Sequence, residues 1–161
     1  MTTVNALSLV PQSSSQLTAV AEVVLHNLEA EQALLGALLL NNSSLEYVSD
    51  FLRAEHFAHT VHGSIYESIQ RLIDRGQIAD PITLKDIFHE NEHLAAVGGA
   101  SYLIDLANSV VSIISAADYG RLIYDLYLRR QLISLSHETV QEVRNFDLES
   151  TAVQHIESAE K

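Results

Sequence analysis

The feature that most limits how this chain can fold is a long C-terminal stretch without helix breakers. From residue 115 to about residue 145 there is no proline, and Gly120 is the only glycine. Ser115 and Asp118 stand at the spacing of a capping box, which marks a helix start. A helix of about thirty residues is ~45 Å long, whereas a small domain is ~30 Å across. The sequence therefore predicts a helix that projects past its own core.

The long helix carries two apolar stripes when its residues are placed at about 100° intervals around the axis. A break at "NFDLES" (145–150) and an apolar pattern at 152–156 predict a second helix that returns to form a helical hairpin. One stripe is needed to pack against the second helix of the hairpin. The other would face water, and a row of large exposed apolar side chains usually marks a protein interface. The stripe that we assign to self-association consists of Tyr124, Leu128, Leu132 and Leu135. The alternative is that the rest of the chain covers both stripes.

The preceding part of the chain consists of shorter helical patterns separated by caps and turns. The signals are a cap at Asn27, capping boxes at Ser43 with Glu46 and at Thr83 with Asp86, a start at Thr60, a stop at Gly76 and a break at Gly98-Gly99. No convincing run alternates with the period of two that a strand requires. We therefore predict an all-α protein: a mobile leader at 1–25, a globular head of short helices, forming a compact bundle, at 26–112, and a helical hairpin at 113–161.

Charge and composition exclude several classes of function. Twenty-one acidic residues oppose nine basic ones, for a formal net charge of −12, so tight nucleic-acid binding by this chain alone is not expected. No Lys or Arg precedes Arg53, and the longest apolar run is too short to cross a bilayer. There is no cysteine, which agrees with a reducing compartment. These features predict a cytoplasmic protein whose partners are other proteins.

Three histidines at a spacing of three residues, His56, His59 and His62, raise the question of a metal site. Positions i, i+3 and i+6 drift by about 60° around a helix, so at most two of them could share a ligand. Glu55 is the only acid beside them. The glycines lack the P-loop pattern, and no Ser, His and acid arrangement of a nucleophilic enzyme is visible. We therefore predict no catalytic, cofactor-binding or metal-binding residue in this chain.

Five sequence blocks, in this order and spacing, resemble the N-terminal domain of DnaB-type bacterial replicative DNA helicases. They are "NLEAEQALLGALLLNN" (27–42), "HFAHTVHGSIYESIQRLIDRG" (56–76), "DPITLKDIFHE" (80–90), "LAAVGGASYLIDLANSV" (94–110) and "YGRLIYDLYLRRQLISLSHE" (119–138). In this family His62 belongs to the block "H-x-x-I-Y", which implies a role in the fold, with His56 and His59 incidental. Pro81 and Val111 depart from the family pattern.

The resemblance implies a helical head and a hairpin that pairs with its neighbours, so that six chains form a collar. The collar would receive a primase or a helicase loader and would sit on C-terminal ATPase domains. Those domains would bind ATP and Mg. The chain stops at "ESAEK" within a helical pattern, which we interpret as truncation near the linker to that absent ATPase domain. The expected function is therefore non-catalytic: assembly of a dimer or hexameric ring and docking of partners in DNA replication.

Two alternatives come from other classes. The chain could be a free-standing adaptor or regulator of a helicase, which is excluded if its reading frame continues into a P-loop domain. It could also be a small metallo-hydrolase that uses the three histidines, which is excluded if the purified protein holds no stoichiometric zinc. Arg129 and Arg130 have two interpretations, pairing with acids of a neighbouring chain or ordinary pairing along their own helix.

Overall fold

Helices form all the regular structure of the described ranges, so the all-α prediction is confirmed. The computed structural model describes residues 25–88, 92–109, 115–144 and 151–159. The α-helices are α1 (Leu28–Leu40), α2 (Thr60–Asp74), α3 (Pro81–Ile87), α4 (Glu92–Ala96), α5 (Ala100–Asn108), α6 (Ala116–Arg144) and α7 (Ala152–Ala159). Two 3₁₀ helices, η1 (Asn42–Tyr47) and η2 (Ala54–His56), lie between α1 and α2. The predicted leader lies outside these ranges except for Leu25, and the domain boundaries stay predictions.

The core of the head is built around α1, which contacts α2, α5 and α6. Leu34, Leu35 and Leu38 on α1 are fully buried. They share one hydrophobic cluster with Ile65 and Tyr66 of α2. Burying a side chain of this size stabilises a fold by about 1.5–3 kcal/mol. The apolar spacing that predicted α1 therefore marks the element on which the head is assembled.

The caps at the ends of α1 and α2 follow the sequence signals in part. Asn27 Oδ1 accepts the Ala30 N–H at 2.9 Å, as predicted. α2 begins at Thr60, and Gly76 behind its end has the positive φ of 71° that the predicted stop requires. The next predicted box is wrong, because η1 is capped by the Asn41 side chain, which accepts the Ser43 N–H, rather than by Ser43 itself.

The cap of α3 was also predicted wrongly. The cap is Asp80, three residues before the predicted cap at Thr83, and the helix begins at Pro81. Asp80 Oδ1 accepts the N–H groups of Ile82 and Thr83 at 2.9 and 2.8 Å, and the Thr83 Oγ1 accepts the Asp80 N–H at 3.0 Å. Proline suits the first helical position because its fixed φ is helical and its missing N–H would have no partner there. Thr83 is therefore the third residue of the box rather than its first.

Replacing Asp80 with alanine is expected to lower the free energy of unfolding by about 1 kcal/mol, because two helix N–H groups lose their acceptor. The control is Asp86→Ala, which removes an exposed carboxylate from the same helix. Urea unfolding followed by circular dichroism measures both variants. An equal loss in the two variants would contradict the assignment of Asp80 as the cap.

The long helix α6 has 29 residues, as the breaker-free stretch predicted. At 1.5 Å per residue it is about 44 Å long. Its buried residues, Ala116, Gly120 and Ile123, all lie in its first third. The rest of α6 extends beyond the core, and α7 contacts α6 as a helical hairpin requires. No helix in the described ranges combines the length and the apolar character needed to cross a membrane.

Candidate functional site

The projecting part of α6 carries an apolar stripe that other described residues leave partly uncovered. Leu128, Leu132 and Leu135 are 41%, 62% and 59% exposed. Their spacing of i, i+4 and i+7 places them on one side of the helix. Together with Gln131, Ser134 and Glu138 they line a shallow groove of about 480 Å³. We call these three leucines the rod stripe.

Tyr124, the fourth predicted member, does not lie with the other three. Its ring packs against the head, with its centroid 5.9 Å from that of Phe51 and 4.9 Å from that of His56. The helical wheel grouped Tyr124 with the leucines because it could not show where the head sits. The head contacts a face of α6 that runs through Gly120, Ile123 and Tyr124. The candidate surface is therefore the rod stripe alone.

The two arginines beside the rod stripe play different roles. The Arg129 guanidinium donates to Asp125 Oδ2 at 2.7 Å on the exposed surface of α6, so pairing along its own helix applies to Arg129. Arg130 instead points to the head. Its Nη1 donates to the Leu25 carbonyl at 2.8 Å, and its Nη2 donates to the His56 carbonyl at 2.7 Å. Neither interpretation from the sequence included backbone carbonyls as partners of Arg130.

His56 lies in the contact between the head and α6. It is only 6% exposed. Its ring centroid lies 4.4 Å from that of Tyr127 and 4.9 Å from that of Tyr124, and its Nδ1 accepts the Arg53 N–H at 3.0 Å. The expectation that His56 is incidental is therefore wrong. We call His56, Tyr124, Tyr127 and Arg130 the head–rod junction.

Beside the junction lies a groove of about 560 Å³ between the head and α6. Leu25, Phe57, Tyr127 and Ile133 are among its apolar lining residues. Burial lowers the pKa of Arg130 from its ordinary value, and the nearby Glu31 and Tyr127 act in the opposite direction. Since an arginine stays charged at any physiological pH, this groove contains a permanent positive charge on a partly apolar surface.

A buried polar network lies inside the head, around His62. The Glu31 carboxylate contacts His62 Nδ1 at 2.7 Å, and the Tyr102 hydroxyl contacts His62 Nε2 at 2.6 Å. Gln32 Nε2 donates to the same hydroxyl at 3.1 Å, so the hydroxyl proton is free to point at Nε2. The network joins α1, α2 and α5, and the side chain of His62 is 1% exposed. The inference that His62 belongs to the fold agrees with this position.

The Glu31 carboxylate also accepts two backbone N–H groups. Ala58 donates to its Oε1 at 2.7 Å and His59 donates to its Oε2 at 3.3 Å. Burial lowers the pKa of the His59 side chain, and the neighbouring His62 lowers it further while Glu31 raises it. The sequence predicts an incidental role for His59, but its backbone helps to fix the loop before α2.

The histidines do not converge on a metal-binding geometry. Among the described residues, no group of three or more His, Asp and Glu side chains could hold a metal ion. His62 is engaged with Glu31 and Tyr102, whereas His56 lies against α6. The contacts of His56 and His62 hold helices together. The absence of cofactors in the chain stays a prediction.

Comparison with known proteins identifies relatives of this arrangement. The profile of the "DnaB-like helicase N terminal domain" family matches residues 23–125. The replicative DNA helicase DnaB of Rickettsia felis is 43% identical over 141 residues, which are 88% of this chain and 28% of that protein. The replicative DNA helicase DnaC of Bacillus subtilis is 35% identical over 116 residues, covering 72% of this chain and 26% of that protein. The chain thus spans about a quarter to a third of the curated relatives it matches.

Solved structures show the same fold. The N-terminal domain of the DnaB helicase of Mycobacterium tuberculosis superposes with a TM-score of 0.72 at 27% identity, covering 84% of this chain and 94% of that one. A structure of a DnaB-like replicative helicase and its interactions with primase gives a TM-score of 0.64 at 28% identity. It covers 83% of this chain and 31% of that one.

Proposed function

Because this chain belongs to the family of DnaB-like helicase N-terminal domains, we propose that it is a non-catalytic part of a bacterial replicative DNA helicase that holds subunits together and receives partner proteins. The observation that supports this proposal is the rod stripe, three exposed leucines on a helix that extends beyond its core. ATP and Mg would bind in the C-terminal part of the longer protein. The site of action would be the bacterial cytoplasm.

The rod stripe is suited to self-association. Fully burying a leucine side chain stabilises an interface by about 1.5–3 kcal/mol, and these leucines are about half exposed in one chain. Six such side chains from two copies would therefore contribute roughly 5–9 kcal/mol in total. The loss of translational and rotational freedom on association costs about 4–15 kcal/mol. Because these two ranges overlap, we expect this domain by itself to associate weakly, in a concentration-dependent manner.

Replacing both Leu128 and Leu132 with aspartate is expected to shift the protein towards the monomer, because burying carboxylates in an apolar interface is strongly unfavourable. Light scattering across a concentration series measures the mass, and circular dichroism checks that the helices remain. The control is Leu40→Asp, which changes a leucine of similar exposure, 56%, on the head. An unchanged mass in the double variant, or an equal change in the control, would contradict the role of the rod stripe.

Docking of a primase is proposed because the relative in one solved structure is described together with its interactions with primase. A helicase loader is a second partner of the same kind, a protein that binds the assembled collar. Titration of the cognate primase into the purified domain, followed by calorimetry, tests this docking. We expect the double variant at Leu128 and Leu132 to bind primase more weakly if the docking surface spans two copies, and equally well if one head suffices.

A further inference from the structure

The head–rod junction joins three separate parts of the chain through two side chains. Arg130 of α6 donates to the carbonyl of Leu25, where the chain enters the head, and to that of His56 on η2. The His56 ring packs against the tilted rings of Tyr124 and Tyr127 on the same helix. Both side chains therefore act on the angle at which α6 leaves the head. Ile123 is the last buried residue of α6, and Tyr127 and Arg130 of the junction lie beyond it, so the junction fixes this angle outside the buried core.

The hydrogen bonds define the protonation state of His56 in this arrangement. Its Nδ1 accepts the Arg53 N–H, so Nδ1 carries no proton and the ring is neutral with its proton on Nε2. If Nδ1 gained a proton, two donors would face each other at 3.0 Å and the Arg53 N–H would lose its acceptor. The ring would also become a second cation beside Arg130, which binds the carbonyl of the same residue.

The charged groups around His56 mostly oppose its protonation. Burial lowers its pKa, Glu55 raises it, and Arg53 and Arg130 lower it further. Glu55 Oε1 is 3.9 Å from Nε2, beyond hydrogen-bonding distance, and the Glu55 side chain is 73% exposed. From α2, the uncharged Gly63 faces η2 and lies close to the Ala54 backbone. The faces of Tyr124 and Tyr127 attract a cation weakly, but they cannot replace the lost backbone hydrogen bond.

We propose that His56 is a proton-sensitive latch: the neutral side chain holds the part of α6 beyond Ile123 against the head, and protonation at Nδ1 releases that part of the helix. The sign follows from the lowered pKa of the folded state. The junction is fully stabilised above the pKa of a free histidine, about 6.5. It weakens as the pH falls below that value, since the released state then binds more protons than the latched one. The latch lies within one chain and does not depend on self-association.

The experiment measures the distance between the head and the rod directly. The chain has no cysteine, so Lys85→Cys on α3 and Gln141→Cys on α6, both at exposed positions, accept spin labels without background. Double electron–electron resonance spectroscopy then gives the distribution of distances between the two labels. The measurement is made at pH 7.5 and again at pH 5.5. Labelled protein is diluted with unlabelled protein so that distances between copies do not contribute. Circular dichroism at both pH values checks that the helices persist.

We expect one narrow distribution at pH 7.5 and a broader or second distribution at pH 5.5. His56→Asn should remove this response, because the Asn Oδ1 can replace Nδ1 as the acceptor and does not protonate. His59→Asn is the matched control and should keep the response, although the pKa of His59 is also lowered. Arg130→Lys should broaden the distribution already at pH 7.5, since one ammonium cannot hold both carbonyls in the same geometry.

Four results would overturn the latch. The first is identical distributions at both pH values in the otherwise unchanged chain. The second is a pH response that survives in His56→Asn, and the third is a response that disappears in His59→Asn. The fourth is a His56→Asn variant that is already released at pH 7.5, because the packing of the ring, rather than a proton on Nδ1, would then control the position of α6.

Discussion

Replacing Glu31 with alanine is expected to lower the free energy of unfolding of this domain by about 3–5 kcal/mol, because one buried carboxylate satisfies three donors. The donors are the Ala58 and His59 N–H groups and the His62 ring. The Glu31 side chain is only 3% exposed, so water does not replace it. At about 2–4 °C per kcal/mol for a chain of this size, the midpoint of thermal unfolding should fall by roughly 10 °C.

Glu29→Ala is a close control for this prediction. Glu29 also lies in the first turn of α1 and therefore has the same favourable interaction with the helix dipole, but it is exposed. The difference in the free energy of unfolding between the two variants separates the contribution of the buried network from that of the helix dipole. Calorimetry or urea unfolding measures this difference. A Glu31→Ala variant that is as stable as Glu29→Ala would show that the network does not stabilise the head.

Gly120→Ala is expected to destabilise the domain by about 1–3 kcal/mol, as overpacking of a core does. A Cβ at this position would lie 2.5 Å from Val48 Cγ1 and 3.4 Å from Phe51 Cζ. In a solvent-exposed helix the same change would raise the free energy of unfolding by about 0.5–1 kcal/mol. A lowered free energy of unfolding would therefore show that α6 approaches the head closely at this position.

A second substitution tests whether Val48 is the group that the new methyl meets. Val48→Ala alone should destabilise because it empties a fully buried site. Combined with Gly120→Ala, it provides room for the methyl, and the double variant should be more stable than the sum of the single losses predicts. Additive losses in this double-mutant cycle would contradict a direct contact between positions 48 and 120.

The local elements of this fold could be predicted because their signals lie within a few residues of the chain. The Asn27 cap and the α2 start at Thr60 need only the neighbouring backbone. The cap of α3 was missed because two capping patterns overlap there, and Pro81 decides between them. The long helix followed from the absence of proline and of any glycine other than Gly120. These features depend on backbone geometry that a short segment determines by itself.

The head–rod junction could not be predicted in the same way. The carbonyls that Arg130 binds lie 74 and 105 residues away along the chain. A backbone carbonyl has no sequence signature, since every residue carries one. Tyr124 was grouped with the rod stripe because a helical wheel gives the angles between side chains but not the direction of the core. For His62 the family resemblance supplied what local spacing could not.

The way α6 is attached makes it a lever arm. Beyond Arg130 the helix continues for 14 residues to Arg144, or about 21 Å. A tilt of about 15° at Arg130 would move that end sideways by about 5 Å. With the pivot moved back to Ile123 the arm lengthens to about 32 Å, and the same tilt moves its tip sideways by about 8 Å. Since packed helices lie about 8–10 Å apart, a tilt of this size at the head would be enough to make or break the contact between the end of α6 and a neighbouring helix.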